Sequence, residues 1–218
     1  TYGHHFNKEL TAIKGDLTGA IIIVNSGSFK TFKSNVIEHT PETDNFKYDT
    51  KRKDIKVHFS SNGKIERHGY FLEGKLALLD EENEWFYDPK SKEIYLWAPD
   101  GKHPKNFVIK GKTQSYAFDI ANSSHIKLEG LDFFGATFKA NESNHITVEN
   151  CNFMYPSYSK RMLGDLSLTD VTSMQCRKKD TKTHNTIRNC KFEYMDGPVL
   201  DMNGWNNIVE NNYMHTID

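Results

Sequence analysis

The stretch that decides the fold is His145-Ile-Thr-Val-Glu-Asn-Cys-Asn-Phe153, because three other segments can be laid over it. They are His125-Ile-Lys-Leu-Glu-Gly-Leu-Asp-Phe133, His184-Asn-Thr-Ile-Arg-Asn-Cys-Lys-Phe192 and Asn206-Asn-Ile-Val-Glu-Asn-Asn-Tyr-Met214. Gly130, Asn150, Asn189 and Asn211 then share a column, with Leu128, Val148, Ile187 and Val209 two places before it. Three places after it stand Phe133, Phe153, Phe192 and Met214. The column advances by 20, 39 and 22 residues, so the middle step reads as one repeat plus an insertion.

A repeat this short cannot bury its own apolar face and must stack on its neighbours. Each one alternates apolar and polar residues, which is strand periodicity. No helical pattern of ten or more residues separates them, so the prediction is a solenoid of short parallel strands. Asn suits the recurrent column, since it tolerates the left-handed corner conformation and its amides can bond along a stack. The runs Val148-Glu-Asn-Cys-Asn-Phe153, Ile187-Arg-Asn-Cys-Lys-Phe192 and Val209-Glu-Asn-Asn-Tyr-Met214 resemble the right-handed parallel β-helix, pectate-lyase-like superfamily.

A second signal lies upstream. Glu84-Trp-Phe-Tyr87 and Glu93-Ile-Tyr-Leu-Trp97 flank Asp88-Pro-Lys-Ser-Lys92 and predict an aromatic hairpin. The stretch from Leu72 to Lys102 resembles a segment that precedes the solenoid in bacterial β-helix proteins of the carbohydrate-active kind. That resemblance implies a polysaccharide substrate and an exported protein, secreted or periplasmic. The expected fold class is therefore all-β: a right-handed parallel β-helix with an N-terminal or inserted β-rich module containing the hairpin. Residues 1–110 hold the first strand or strands plus that module, and residues 111–218 hold the coils. An insertion is expected at about 155–184, and the coils are expected to continue past Asp218. Elsewhere, Ile13 to Val24 reads as a strand or an early coil, Val57-His-Phe59 as a short strand, and His68 to Asp80 as a short helix.

The formal net charge of −1 gives no basic field for nucleic acid, and a mean hydropathy of −0.69 excludes an ordinary helical membrane span. Cys151 and Cys190 share a column and read as small buried hydrophobes rather than a disulfide. With Cys176 they make an odd count without zinc spacing. No metal or other cofactor is expected for a hydrolase; calcium would accompany only the lyase alternative.

Register also suggests a site. Asp196 and Asp218 stand one repeat apart and should be stacked about 4.8 Å from each other. Two adjacent carboxylates share a proton and so supply an acid and a base or nucleophile for glycosidic cleavage. Substrate-binding candidates around them are His215, with Glu193 at the matching place one repeat earlier, and Asp201, Asn203 and Trp205. Arg161 and Lys178 in the basic insertion complete the set. The expected activity is glycoside hydrolysis. A polysaccharide lyase acting on an acidic glycan and a non-catalytic carbohydrate-binding solenoid are the alternatives.

Overall fold

The protein was analysed as a computed structural model that describes residues 2–25, 31–51, 69–167, 169–177 and 181–217. The strand read at Val57-His-Phe59, and the site candidates Lys178 and Asp218, lie outside the described residues. The chain forms two compact units, Thr1–Ile109 with Arg161–Leu166, and Lys110–Lys160 with Ser167–Asp218.

The first unit carries β1 (Tyr2–Phe6), β2 (Ile21–Asn25), β3 (Thr31–His39), β4 (Asn45–Asp49) and β5 (Tyr70–Glu73). They form one sheet in the order β1-β4-β3-β2-β5, with every neighbouring pair antiparallel. The run Ile21-Ile-Ile-Val24 is buried at every position, as a central strand of four β-branched residues should be. The stretch read as a helix is corrected: Tyr70–Glu73 is a strand and Leu76–Leu78 a single 3-10 turn. Pairing with the open edge of β2, Ile21 opposite Glu73 and Val24 opposite Tyr70, outweighs a weak local helical spacing. The aromatic hairpin forms as read, β6 (Trp85–Asp88) antiparallel to β7 (Glu93–Leu96), with Lys92 N–H on the Asp88 carbonyl at 2.8 Å.

Among its described residues the second unit contains twelve strands that visit three sheets in rotation. The first cycle is β8 (Tyr116–Ala121), β9 (Lys127–Glu129) and β10 (Asp132–Phe134). The second is β11 (Thr137–Asn141), β12 (Thr147–Glu149) and β13 (Asn152–Met154). The third is β14 (Thr172–Met174), β15 (Thr186–Arg188) and β16 (Lys191–Met195), and the fourth is β17 (Leu200–Met202), β18 (Ile208–Glu210) and β19 (Tyr213–Ile217). Each sheet collects one strand per cycle: β8-β11-β14-β17, β9-β12-β15-β18 and β10-β13-β16-β19, all parallel. The protein is thus predominantly β, with parallel sheets in one unit and an antiparallel sheet in the other.

The aligned columns are the observed register. Leu128, Val148, Ile187 and Val209 are paired Cα partners, as are Phe133, Phe153, Phe192 and Met214. Phe153 stacks between Phe133 and Phe192 at centroid separations of 4.4 and 4.5 Å, with planes 11° and 2° apart. The Gly130, Asn150, Asn189 and Asn211 column has φ of 65, 55, 54 and 54°, the left-handed corner that Gly and Asn accept. Backbone bonds such as Asn150 N–H to the Arg188 carbonyl (3.2 Å) join these corners. Amide bonding between cycles comes from other asparagines: Asn185 Oδ1 accepts from Ile146 N–H (3.0 Å), Asn207 Oδ1 from Asn185 N–H (2.9 Å) and Asn212 Oδ1 from Cys190 N–H (2.8 Å). The long step of 39 contains a complete cycle, because β14 lies inside it and pairs with β11 and β17.

Cys151, Cys176 and Cys190 are all buried and not disulfide-bonded, and burial pushes the Cys190 thiol above its ordinary pKa. Glu149 is a buried carboxylate of this unit. Hydrogen bonds and ion pairs from Lys127 and Arg188 (2.6 Å to the guanidinium) hold it below the usual carboxylate range. Such a lowered group stabilises the fold above the ordinary carboxylate pKa, and that contribution disappears as pH falls through the folded value.

Unfolding measurements check both features. Phe153→Ala should lose about 3–5 kcal/mol by denaturant unfolding, whereas Met214→Ala, in the same column but 40% exposed, should lose less than half of that. Glu149→Gln should lower the unfolding midpoint at neutral pH and narrow its gap from the wild type below about pH 4.

Candidate functional site

The corner after the third sheet is another left-handed column: Gly135, Tyr155, Tyr194 and Thr216, with φ of 68, 54, 57 and 53°. Each follows the stacked phenylalanine position by two residues, and the left-handed corner breaks the strand alternation there, so that Tyr155 and Tyr194 stand outward, 40% and 44% exposed, instead of inward. Tyr155 and Tyr194 stack at 5.1 Å and 24°, and Phe134 meets Tyr155 edge-on at 5.7 Å. With Tyr158, Met195, Asp196 and Thr216 the two tyrosines line a cleft of about 160 Å³. Phe134, Tyr155, Tyr158 and Tyr194 are each 40–55% exposed, an aromatic surface open to solvent.

Residues 155–160 shape this cleft by alternating outward and inward. Tyr155, Tyr158 and Lys160 are exposed, while Pro156, Ser157 and Ser159 are buried. Asp196 ties the segment down with both its side chain and its backbone. Its carboxylate accepts Ser159 N–H (3.0 Å), its carbonyl accepts the Ser157 hydroxyl (3.3 Å), and its own N–H reaches the Ser157 carbonyl (3.4 Å). Lys112 Nζ donates to the Pro156 carbonyl at 3.2 Å, and Lys160 Nζ lies 2.6 Å from Asp170. Ser115 Oγ shares that Asp170 oxygen at 2.6 Å. The lysine and the hydroxyl hold the Asp170 carboxyl below the usual range. Desolvation lowers Lys112, and burial raises Tyr116.

The predicted site residues separate into groups. Asp196 lines the cleft. Its proposed partner Asp218 is outside the described residues, although Met195 and Ile217, the residues before each, are register partners. His215 is exposed on β19 opposite Glu193, lies parallel to Tyr213 at 5.9 Å and bonds the Thr216 hydroxyl at 2.7 Å. Asp201 sits on a different sheet, at the centre of β17 opposite Ser173. Asn203 is committed to the fold: its Oδ1 accepts Cys176 N–H (2.5 Å) and its amide donates to Gln175. Trp205 is 56% exposed, and its backbone pairs with Lys182 and bonds Thr183. Arg161 belongs to the first unit, where its guanidinium is ion-paired with Glu73.

The tyrosines are the functional candidates that sequence reasoning missed. Their signal was present, since Phe153-Met-Tyr155 and Phe192-Glu-Tyr194 occupy the same places of two aligned repeats. Three stacked imidazoles, His125, His145 and His184, occupy an equivalent corner at 4.6 and 5.0 Å. Among the described residues no group of three or more His, Cys, Asp or Glu is arranged to hold a metal ion. No helix of the described residues is long and apolar enough to cross a membrane. No protein family, curated protein or solved structure matches this chain.

If the Asp196 carboxylate pins residues 155–160, Asp196→Ala should speed limited tryptic cleavage after Lys160 by about ten-fold or more. That expectation rests on losing a charge-assisted bond worth about 1.5–3 kcal/mol. Asp196→Asn, which keeps an acceptor, should stay within about three-fold of the wild type on the same scale.

Proposed function

We propose that the second unit is a run of right-handed parallel β-helix of the carbohydrate-active kind, and that the protein degrades a polysaccharide held in the tyrosine-lined cleft. The observation that carries this reading is the juxtaposition of Tyr155, Tyr158 and Tyr194 with Asp196 around one cleft. Exposed aromatic faces bury the apolar faces of sugar rings, and each well-covered ring contributes about 1.5–3 kcal/mol. The reaction that suits the cleft is glycoside hydrolysis, in which Asp196 serves as one carboxylate and Asp218, one residue beyond the register pair Met195 and Ile217, as the other. The proton shared by such a pair would protonate the leaving glycosidic oxygen, while the second carboxylate attacks the anomeric carbon or activates water.

A second reading is favoured by one specific contact. Because the Asp196 carboxylate already accepts the Ser159 N–H, the cleft also suits a surface that binds a glycan without cutting it.

The two are separated by incubating the protein with a panel of neutral and acidic polysaccharides. New reducing ends without ultraviolet absorbance support hydrolysis. An unsaturated, absorbing product would replace it with β-elimination, and affinity without product would leave a binding protein. In either of the two proposed cases Tyr155→Ala and Tyr194→Ala should each weaken glycan binding about 10–100-fold with the circular dichroism spectrum retained. Unchanged affinity in both variants would remove the cleft from consideration. Asp196→Asn should abolish product formation only under the hydrolase reading.

A further inference from the structure

His39, at the end of β3 in the first unit, is held in an arrangement that only its neutral form can adopt. Its side chain is completely buried, and its Nδ1 accepts the backbone N–H of Leu17 at 3.1 Å. An accepting Nδ1 places the ring proton on Nε2. Nε2 is itself buried and has no acceptor among the described residues. The ring is therefore a fixed tautomer whose one basic nitrogen is already in use as an acceptor.

That bond is the centre of a short strap, residues 13–20, lying along β3. Leu17 is fully buried, and the strap is sewn on by Gly19 N–H to the Val36 carbonyl and Val36 N–H to the Ala20 carbonyl, both 2.8 Å. His39 N–H donates to Thr18 Oγ1 at 3.2 Å, and Glu42 N–H to the Ile13 carbonyl at 3.2 Å. Adding a proton at Nδ1 would set two N–H groups against each other across 3.1 Å and bury a cation. The charge able to offset this is the Asp16 carboxylate, 3.9 Å from Nδ1. It is mostly solvent-exposed and already accepts Thr18 N–H at 2.8 Å. Thr18 and Lys75 keep that carboxylate ionised, so Asp16 is the charge that opposes the cost of burying the cation. On β4 the residue opposite His39 is the apolar Phe46, and the neighbouring Lys47 is neutralised by Glu38 at 2.6 Å.

We infer that His39 is an acid-operated latch: neutral, it pins Leu17 and the strap 13–20 onto β3, and protonated, it releases them. Burial lowers its pKa below the ordinary histidine value, with Asp16 opposing the shift. A histidine lowered in this way stabilises the folded state fully above about pH 6.5, and that stability is lost as pH falls below it toward the folded value. The strap is thus expected to loosen under mildly acidic conditions in which the carboxylates of the protein remain ionised.

The test is nitrogen-edited NMR of the full chain between about pH 7.5 and about pH 5. The His39 ring should show the Nε2–H tautomer and titrate below the ordinary histidine value. Leu17 amide exchange, corrected for its intrinsic pH dependence, should accelerate about ten-fold or more as the ring titrates. His39→Asn keeps an acceptor near the Nδ1 position and takes no proton, so Leu17 protection should lose its pH dependence in this range. A ring protonated on Nδ1 at neutral pH, a titration at or above the ordinary value, or acid loosening that survives in His39→Asn would each overturn the latch. If that variant fails to fold, the wild-type tautomer and titration decide the matter by themselves.

Discussion

Parallel pairing at constant register is the constraint on which the second unit depends. Neighbouring strands stand about 4.8 Å apart, close to the separation at which aromatic rings stack, so a phenylalanine repeated once per cycle becomes a continuous column. Phe133, Phe153 and Phe192 realise this with centroid steps of 4.4 and 4.5 Å. A one-residue slip of any strand would send its core residue outward and its polar neighbours inward. The same register governs the outside: it aligns Tyr155 with Tyr194 in one corner column and His125, His145 and His184 in another. Core and surface are ordered by one geometric rule.

Charge obeys the rule as well. Glu129, Glu149, Arg188 and Glu210 occupy successive places of one column, so the buried Glu149 meets Arg188 from the next cycle and Lys127 from the previous one. Like charges directly opposite one another in a sheet are destabilising. Here the Lys127 ammonium bridges Glu129 (2.8 Å) and Glu149, relieving the one like-charged step next to the buried carboxylate. The first unit solves its polar problem differently, by giving a buried imidazole a single backbone donor to accept.

How much could be read in advance depends on the range of the interactions. The columns were visible because the repeat of about 20–22 residues brings identical residue types together, and the hairpin because its turn is local. β14 was hidden, since Thr172-Ser-Met174 shares no pattern with the aligned repeats and takes its identity from β11 and β17. β5 was misread because its partner β2 lies some fifty residues earlier, and local spacing could not register that edge. Asp196 stood out as a chemical residue, but its bond to Ser159, 37 residues away, is invisible until the strands are placed. Asn203, chosen as a sugar ligand, instead satisfies backbone of the preceding cycle for the same reason.

The left-handed corners have an implication for how this surface can change. Stacking constrains the strands and the corner residues, and it leaves the length of the span between them open. After β10 only Gly135 and Ala136 lead to the next cycle, whereas after β13 residues 155–171 make the same passage. The extra chain enters beside Tyr155, at a column whose backbone shape is the same whether a short or a long span comes next. The length and sequence of one span can therefore change while the phenylalanine column stays as it is.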